Sequence, residues 1–344
     1  MTKLILSIET TCDETAAALI DRNRRVVAAA VASQEAIHDR FQGVVPELAA
    51  RSHLERIVPI VDQVVQEAGV NPVEDLLAVA VATEPGLPGS LLVGLAAAKG
   101  LCVAWSKPLI SINHIQAHIY ACQMGHATSI FPCVGFVVSG GHTNLYRCES
   151  ADRWKYLGGT IDDAVGEAFD KVAVMLGLPY PGGPHLSRLA ERGDPNAIEL
   201  PRPMLKDLST LNMSFSGLKT AVRYKLVGVG KQDFRELDIP DDRRADVAAS
   251  FQAAAIDCVV SKAKLALQKS QLDRLCVGGG VAANRVLRKR LESACSDTGA
   301  ELIIAPPELC TDNAAMGAIA WEKAERDDFA PLNVDIQPGL LRGE

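Results

Sequence analysis

This sequence has few aromatic residues, no long apolar run and no excess of positive charge. Phenylalanine, tryptophan and tyrosine make up 5% of the 344 residues, while hydrophobic residues of all kinds make up 48% and charged residues 22%. That composition excludes a disordered chain, and the length suggests two domains of roughly 150 residues each. The apolar share rests on small and aliphatic residues, which is typical of close-packed α/β proteins.

The charge balance excludes one class of nucleic-acid protein. Lysine and arginine number 35 against 42 aspartates and glutamates, which gives a formal charge of −7. A protein that coats nucleic acid is broadly basic, so any contact with RNA would have to be local and sensitive to salt. Two basic clusters are available, although both are also compatible with ordinary solvated faces: Arg285, Arg288, Lys289 and Arg290, and Arg22, Arg24 and Arg25.

Segments that would direct the chain to a membrane or out of the cell are also missing. The longest apolar candidates, Leu76–Ala82 and Leu91–Ala98, fall short of the ~18 residues that a membrane span needs. The apolar start, Met1–Ile8, meets Glu9 too early for a secretory signal. The nine cysteines are odd in number and never occur as Cys-x-x-Cys, which excludes a disulfide framework and a zinc ribbon. We therefore expect a cytoplasmic protein without membrane association.

The chain shows the same local pattern twice. An apolar strand at Leu4–Ile8 leads through a turn into a return strand at Ala16–Ile20, and Val134–Val138 leads through a turn into Asn144–Cys148. This pattern predicts a duplicated domain, although two unrelated hairpins would give the same sequence pattern. Between and after these units we predict helices at 47–68, 91–105, 160–176, 244–269 and 283–294, strands at 26–32, 77–82, 109–112 and 274–277, and an irregular insertion at about 182–237.

Two histidines offer metal ligands. His114 and His118 lie four residues apart, so on a helix both imidazoles project from one face. A zinc protease needs glutamate directly after the first histidine, and Ile115 stands there instead. Two hydrogen-bonded histidines at a helix start are the more ordinary explanation of this spacing. Asp312 is a third potential ligand, although a capping role at a helix start is its ordinary explanation.

Three small-residue turns follow predicted strands. Residues 139–143 (SGGHT) combine two glycines with two hydroxyl side chains, which suits a phosphate, although a plain β-turn has the same composition. Residues 7–15 have a similar form and add the acids Glu9, Asp13 and Glu14. The run 278–284 (GGGVAAN) leaves room for a flat ring, with Asn284 able to bond a base or a ribose, but it lacks the dinucleotide spacing. No Walker lysine pattern occurs, which excludes a P-loop ATPase.

The 160–176 helix carries two further features. Asp163, Glu167 and Asp170 share one face, which an exposed acidic ridge would explain. Gly166 in the middle of this segment costs about 1 kcal/mol relative to alanine, so we expect another part of the protein to approach closely there.

Together these segments resemble the TsaD family (also called YgjD or Gcp) of bacterial tRNA N6-adenosine threonylcarbamoyltransferases. The matching stretches run in order along nearly the whole chain: 7–15 (SIETTCDET), 43–48 (GVVPEL), His114-x-x-x-His118, 138–143 (VSGGHT), 162–171 (DDAVGEAFDK), 180–184 (YPGGP), 214–220 (SFSGLKT), 278–284 (GGGVAAN) and 310–313 (CTDN).

The resemblance implies an actin-like (ASKHA) α/β fold of two duplicated domains with a ligand cleft between them. The domains would be 1–130, with 312–344 packing back on it, and 131–311. The resemblance also implies transfer of the threonylcarbamoyl group from threonylcarbamoyl-AMP to N6 of adenosine 37 in tRNAs that read ANN codons. Implied partners are a smaller actin-like paralogue (TsaB) and a P-loop ATPase (TsaE).

The same resemblance assigns residues. His114, His118 and Asp312 would hold one divalent metal, expected to be Fe²⁺ with Zn²⁺ as the alternative. The adenylate would be bound by Val137, Val138, Ser139, Gly140, Gly141, Asp170, Gly183 and Asn284. No general base is identified, and Glu9 and Asp13 are the candidates. Many relatives have an acid at the position of Ser187, so Ser187 is left out of the expected site.

Two other functions remain open at this point. An ATPase or kinase with an actin-like fold would use similar phosphate turns, but it would not need two histidines and an aspartate to converge. A non-catalytic scaffold would bind partners without turnover.

Overall fold

The computed structural model describes residues 3–228 and 239–339, which form two units. The units are Met1–Ser129 with Glu308–Glu344, and Ile130–Pro307. Each contains one five-stranded mixed sheet with helices packed against it, so the fold is α/β, as predicted.

The strands of the described residues follow the apolar segments of the sequence. They are β1 Leu4–Glu9, β2 Glu14–Asp21, β3 Val26–Ser33, β4 Leu76–Glu84, β5 Leu109–Asn113, β6 Cys133–Val138, β7 Thr143–Cys148, β8 Trp154–Gly159, β9 Arg274–Gly278 and β10 Glu301–Ile304. Most of these were predicted. The sequence analysis missed β8, which is half-exposed and includes Lys155, and β10, which is only four residues long.

The helices of the described residues lie between and after the strands. They are α1 Glu35–His38, α2 Pro46–Ala68, α3 Pro72–Asp75, α4 Pro88–Trp105, α5 His114–Tyr120, α6 Val165–Met175, α7 Gly182–Ala190, α8 Ser216–Val227, α9 Asp241–Ser270, α10 Arg285–Thr298 and α11 Ala320–Ala324. Short 3-10 segments accompany them, including Ala314–Ile319.

The two sheets have the same topology. The first has strand order β3-β2-β1-β4-β5, and the second has β8-β7-β6-β9-β10. In the first sheet β1 pairs antiparallel with β2 and parallel with β4; in the second, β6 pairs antiparallel with β7 and parallel with β9. Five strands repeating with one order and one set of directions support the predicted duplication.

The predicted irregular insertion at about 182–237 is partly helical. Helix α7 buries Leu186 and Ala190, and α8 buries Leu218 and Val222, so each helix places residues four apart against the core. The many Pro, Arg and Ser residues of this stretch hide those two short apolar faces in the sequence. Residues 229–237 of the predicted insertion lie outside the described residues.

Helix α4 is more apolar than the count of uninterrupted runs suggested. Its 18 residues have a mean hydropathy of 1.4, which by length and composition alone is enough to cross a membrane. In the structure it packs against β4 and α2, with Leu91, Leu95 and Ala98 buried. Lys99 of the same helix donates a hydrogen bond to the carbonyl of Val334. We therefore interpret α4 as a core helix of the first unit.

Candidate metal centre and candidate nucleotide site

The two histidines of the first unit lie on one short helix. Strand β5 ends at Asn113, whose side chain caps α5 by accepting hydrogen bonds from the amides of Ile115 and Gln116. Helix α5 begins directly after this cap, so His114 and His118 share one face, as predicted. Their rings meet edge to face with centroids 4.5 Å apart, and both side chains are buried.

Asp312 joins this pair from a distant part of the sequence. Its Oδ1 lies 3.1 Å from His118 Nε2 and 3.6 Å from His114 Nε2. One ligand atom from each of the three residues lies within 4.8 Å of the others. The capping role belongs to the next residue, since Asn313 accepts the hydrogen bond from the Met316 amide at the start of the 3-10 segment. The Asp312 carboxylate therefore faces the histidines.

His118 gives an independent reason to consider a metal. It is fully buried, and neither ring nitrogen makes a contact of hydrogen-bond geometry with any described residue, although Asp312 Oδ1 is close. Buried polar atoms are nearly always satisfied. Two imidazole nitrogens and a carboxylate oxygen also form a donor set that suits divalent iron or zinc. The residues present therefore fit a divalent metal.

Glu9 lies on the other side of His114. Its Oε2 is 3.1 Å from His114 Nδ1, and its Oε1 accepts a hydrogen bond from the Thr11 amide at 2.6 Å. Burial alone would lower the pKa of His114, but the carboxylates of Asp312 and Glu9 raise it to about 9. Burial and the neighbouring His114 lower the pKa of His118. The two imidazoles thus have opposite tendencies to carry a proton.

The turn after β1 adds more acids to this region. Asp13 is buried. Burial, followed by the charges of Asp312 and Asp13, raises the pKa of Glu14 to about 10. Burial, followed by the charges of Asp13 and Asp312, raises the pKa of the Cys12 thiol well above its ordinary value. Burial and the charges of Asp13 and Asp312 thus keep Glu14 and Cys12 protonated at neutral pH, and a cation bound nearby would offset the repulsion that raises their pKa values.

The hydroxyl groups of this turn are used inside the first unit and do not resemble an open phosphate cradle. Thr10 donates to the carbonyl of Ser90, and Thr15 Oγ1 lies 2.8 Å from His53 Nδ1. Thr11 Oγ1 lies 3.2 Å from His114 Nδ1. The similarity between the turn at 7–15 and the turn at 139–143 is therefore one of topology, and their side chains have different roles.

The turn at 139–143 leaves backbone amides available. It is closed by a hydrogen bond from the Ser139 amide to the His142 carbonyl and by one from the His142 amide to Ser139 Oγ. Gly140 and Gly141 are exposed, and their amides donate to no acceptor within the part of the chain that the structure describes. Val137 and Val138 are buried in β6, so they would contribute by fixing the position of this turn.

Two glycines let other backbone segments come close to this turn. A Cβ on Gly166 would lie 2.5 Å from the Ser139 carbonyl oxygen, and a Cβ on Gly279 would lie 2.5 Å from that of Val138. Gly279 also has a φ of +99°, in the region that favours glycine. The close approach predicted at Gly166 is therefore present. It brings the positive end of the α6 dipole to the turn, where an anion would be stabilised.

The remaining predicted adenylate residues are linked through α7. Asp170 accepts a hydrogen bond from the Gly183 amide at 3.0 Å. Asn284 caps α10 with its oxygen, and its amide donates to Ser187 Oγ and to Gln252 Oε1, both at 2.9 Å. Sequence reasoning missed Gln252 and left Ser187 out. Ser187 could have been found from its position one helical turn after Gly183, whereas no sequence pattern pointed to Gln252.

Acidic residues of the 160–176 region are paired, so they do not form the exposed ridge considered from the sequence. Asp163 makes ion pairs with Lys171 and Lys219, and Lys171 also pairs with Glu167. Asp162 accepts four hydrogen bonds from residues 214–216, two from hydroxyls and two from amides. These contacts hold the start of α8 against the segment that precedes α6.

Several basic residues of the two clusters are likewise engaged within their own units. Arg288 donates to the carbonyls of Ala282 and Ala305, and Arg290 pairs with Asp257. In the other cluster Arg22 pairs with Glu325, and Arg24 bonds Tyr120 and Glu322. Arg25, Arg285 and Lys289 are exposed. The clusters therefore offer fewer available charges than their sequences suggest.

A cavity of about 450 Å³ in the second unit lies beside α9 and α10, away from the predicted site residues. Asp257 on its wall pairs with Arg202 and Arg290, and Lys264 pairs with Asp297. Since its charged groups neutralise each other, the cavity gives no indication of a charged ligand.

Comparison with known proteins identifies the family. A family model described as "TsaD: tRNA N6-adenosine threonylcarbamoyltransferase" matches residues 25–319. A protein of that name from Rhodopirellula baltica is 56% identical over 99% of this chain and 98% of its own length. Another from Moorella thermoacetica is 50% identical over 98% of this chain and 96% of its own length.

Solved structures agree on the fold. HypF from T. kodakarensis has a TM-score of 0.62 at 12% identity, with 95% of this chain and 48% of that chain covered. Component A of the Acidaminococcus fermentans (R)-2-hydroxyglutaryl-CoA dehydratase has a TM-score of 0.53 at 14% identity, with 94% and 99% covered. At such low identity these structures bear on the fold alone, which is the actin-like α/β fold that the family resemblance implied. The sequence matches carry the assignment further: this chain belongs to the tRNA N6-adenosine threonylcarbamoyltransferase (TsaD) family of acyltransferases.

Proposed function

We propose that this chain transfers the threonylcarbamoyl group of threonylcarbamoyl-AMP to N6 of adenosine 37 in tRNAs that read ANN codons. The observation that carries the proposal is the convergence of His114, His118 and Asp312 on one point of the first unit. An actin-like ATPase or kinase needs phosphate turns but not this donor set. The convergence of these three residues therefore disfavours an ATPase or kinase function.

The metal is proposed to be Fe²⁺, with Zn²⁺ as the alternative, because the donor set suits both ions. When bound, a divalent ion would supply Lewis-acid polarisation of the carbamoyl carbonyl and stabilise charge as AMP departs. His114 Nε2, His118 Nε2 and Asp312 Oδ1 are the atoms that would hold it.

Residues of the second unit are proposed to bind the adenylate. The amides of Gly140 and Gly141 and the start of α6 suit its phosphate, because backbone N–H groups and a helix N-terminus both favour an anion. Asp170, Gly183 and Asn284 are assigned to the adenosine, with Gln252 and Ser187 holding the Asn284 amide. This arrangement positions the leaving group before the reaction begins.

A general base is proposed at Asp13. The N6 amine of adenosine is weakly basic, so positioning and departure of AMP matter more than a strong base. Of the two candidates, Glu9 already accepts at both oxygens, from the Thr11 amide and from His114 Nδ1. Asp13 lies in the same turn, four residues further along the chain, where its side chain hydrogen-bonds Cys12 and Glu14.

Partners are proposed from surface chemistry. Helices α2 and α4 pack together and expose large apolar side chains, among them Leu54, Val58, Leu92 and Val103. Such side chains suit a protein partner, for which we propose the TsaB-type paralogue, with a TsaE-type ATPase as a further component. The net charge of −7, and the ion pairs that Arg22 and Arg290 make within the chain, favour weak and salt-sensitive tRNA binding by this chain alone. The proposed location of the reaction is the cytoplasm.

The test combines metal content with tRNA modification. His114→Ala is compared with wild type and with His126→Ala, a matched control because His126 is an exposed histidine of the same unit. With partners and threonylcarbamoyl-AMP present, we expect His114→Ala to lose both bound metal and modified tRNA, and His126→Ala to keep both. Full modification by His114→Ala without metal would refute the proposed mechanism. Binding of both substrates by wild type without turnover would favour the scaffold alternative.

A further inference from the structure

One carboxylate in the first unit is bonded to a proposed metal ligand without being a ligand itself. Glu9 Oε2 lies 3.1 Å from His114 Nδ1, while the proposed metal-binding atom of that ring is Nε2 on the opposite side. We propose that Glu9 is a positioning residue, which fixes the tautomer and the ring orientation of His114 for metal binding. The inference rests on the proposed metal centre and goes beyond it.

The position of Glu9 is itself tightly fixed. Glu9 ends β1, where its backbone is paired with Ala16 of β2, and its side chain is buried. Its Oε1 accepts the Thr11 amide at 2.6 Å, which leaves Oε2 directed at His114. An acceptor held at its backbone and at one oxygen loses little freedom when the other oxygen binds the imidazole.

The chemistry of imidazole explains what this contact does. A carboxylate can only accept, so Nδ1 must carry the proton of the His114–Glu9 hydrogen bond. In the neutral ring the lone pair is then on Nε2, which lies 3.6 Å from Asp312 Oδ1. Metal-binding histidines commonly donate their other N–H to a carboxylate, and the loss of such a partner weakens metal binding by about 10–100-fold.

The neighbouring groups show that this arrangement is specific to His114. Thr11 Oγ1 is also near Nδ1, at 3.2 Å, but a hydroxyl is a weaker acceptor than a carboxylate. His118 Nδ1 has no hydrogen-bond partner among the described residues. Of the two imidazoles, His114 alone is therefore oriented by a carboxylate behind it. With both oxygens engaged, Glu9 acts through His114, in place of the general-base role considered from the sequence.

The experiment measures metal affinity in Glu9→Gln. A glutamine has one acceptor atom in place of two, so it cannot serve both the Thr11 amide and His114 Nδ1. Each purified variant is titrated with Co²⁺ and followed by visible absorption, with folding checked by circular dichroism. We expect Glu9→Gln to bind Co²⁺ about 10–100-fold more weakly than wild type, with altered absorption bands.

Two matched variants separate this role from general effects. Thr11→Val removes the hydroxyl near Nδ1 but keeps the amide that holds Glu9, and we expect near-wild-type affinity. Glu14→Gln makes the same chemical change at a half-buried carboxyl group, which hydrogen-bonds Asp13. We expect it to weaken Co²⁺ binding less than Glu9→Gln does. Equal affinity in wild type and Glu9→Gln, or a Thr11→Val effect as large as that of Glu9→Gln, would overturn the proposal.

A measurement on wild type keeps the proposal testable if Glu9→Gln does not fold. In Zn²⁺-loaded protein labelled with ¹⁵N-histidine, we expect the His114 Nδ1 proton to give a downfield NMR signal that exchanges slowly. If the His114 Nδ1 proton gives no such signal or exchanges rapidly with solvent, the proposed role of Glu9 is wrong. If wild type takes up neither Co²⁺ nor Zn²⁺, the metal centre itself fails, and the Nδ1 signal of the metal-free protein still decides whether Glu9 holds the ring.

Discussion

Replacing Gly166 with alanine would place a methyl group between α6 and the Ser139–Gly141 turn. The new Cβ would lie 2.5 Å from the Ser139 carbonyl oxygen and 2.8 Å from Gly140 Cα, whereas ordinary contacts begin at 3.4 Å. Both neighbours are backbone atoms, so no flexible side chain can yield. The turn or the helix must therefore move by about 0.9 Å, more than the ~0.5 Å that a binding site tolerates.

Two opposing effects decide the size of the change. In a helix interior, alanine stabilises a helix by about 1 kcal/mol relative to glycine. Because Gly166 is only the second residue of α6, the stabilisation gained from alanine at this position is smaller. Overpacking costs about 1–3 kcal/mol. We therefore expect a net loss of about 1 kcal/mol, which lowers the melting temperature by about 2–4 °C for a unit of this size. Losing one amide–phosphate hydrogen bond, about 1.5–3 kcal/mol, weakens AMP binding at least tenfold.

Calorimetry with AMP and thermal unfolding followed by circular dichroism measure both effects. Gly217→Ala is the matched control, because Gly217 is the second residue of α8 in the same unit and its Cβ would meet nothing within 4 Å. It should leave AMP binding unchanged and not lower the melting temperature. If Gly166→Ala binds AMP as tightly as wild type and melts at the same temperature, the assignment of this turn to the phosphate is refuted.

Three further substitutions test contacts of the second unit. Burial alone would raise the pKa of Asp162, but hydrogen bonds from residues 214–216 lower it below 3.8. The ionised Asp162 therefore contributes its full stabilisation above pH 3.8, and this stabilisation is lost as the pH falls through the lower pKa of the folded state. In acid denaturation, the difference in unfolding free energy between wild type and Asp162→Asn should therefore become smaller below pH 3.8. A difference that becomes larger below that pH would contradict this assignment. Lys262→Met leaves the carbonyls of Asp207 and Thr210 without their buried donor and should cost about 1–3 kcal/mol in urea unfolding; no loss would refute the role of that amine. Asn284→Ala removes a helix cap, about 1 kcal/mol, and should also weaken AMP binding, whereas a stability loss alone would remove Asn284 from the ligand site.

The fold could be predicted where apolar patterning is strong. The buried strands β1, β2 and β6 are short apolar runs that end in turns, and their repetition indicated a duplication that the shared sheet order now supports. Strand β8 has a half-exposed pattern without clear alternation, and α7 is a nine-residue helix whose short apolar face lies among Gly, Pro, His, Ser and Arg residues that are typical of loops. Their conformation depends on tertiary contacts that no local window contains.

Candidate site residues could be predicted where they lie within a few positions of one another in the sequence. Four-residue spacing on a helix identified His114 and His118, and a glycine within a helix indicated the close approach at Gly166. Asp312 was named as a possible third ligand from its residue type, but only the family resemblance assigned it to the same site as the histidines, because nothing local connects residues so far apart in the chain. The contact between Glu9 and His114 depends on how β1 and β5 flank β4 in the sheet.

On the proposed mechanism, threonylcarbamoyl transfer requires the metal held by His114, His118 and Asp312. The most direct test strips metal from the wild-type protein with a chelator and measures modification of tRNA from threonylcarbamoyl-AMP, with partners present, before and after Fe²⁺ or Zn²⁺ is restored. We expect modification to stop when the metal is removed and to return when one equivalent of metal is restored. Undiminished modification by protein that contains no metal would contradict that mechanism.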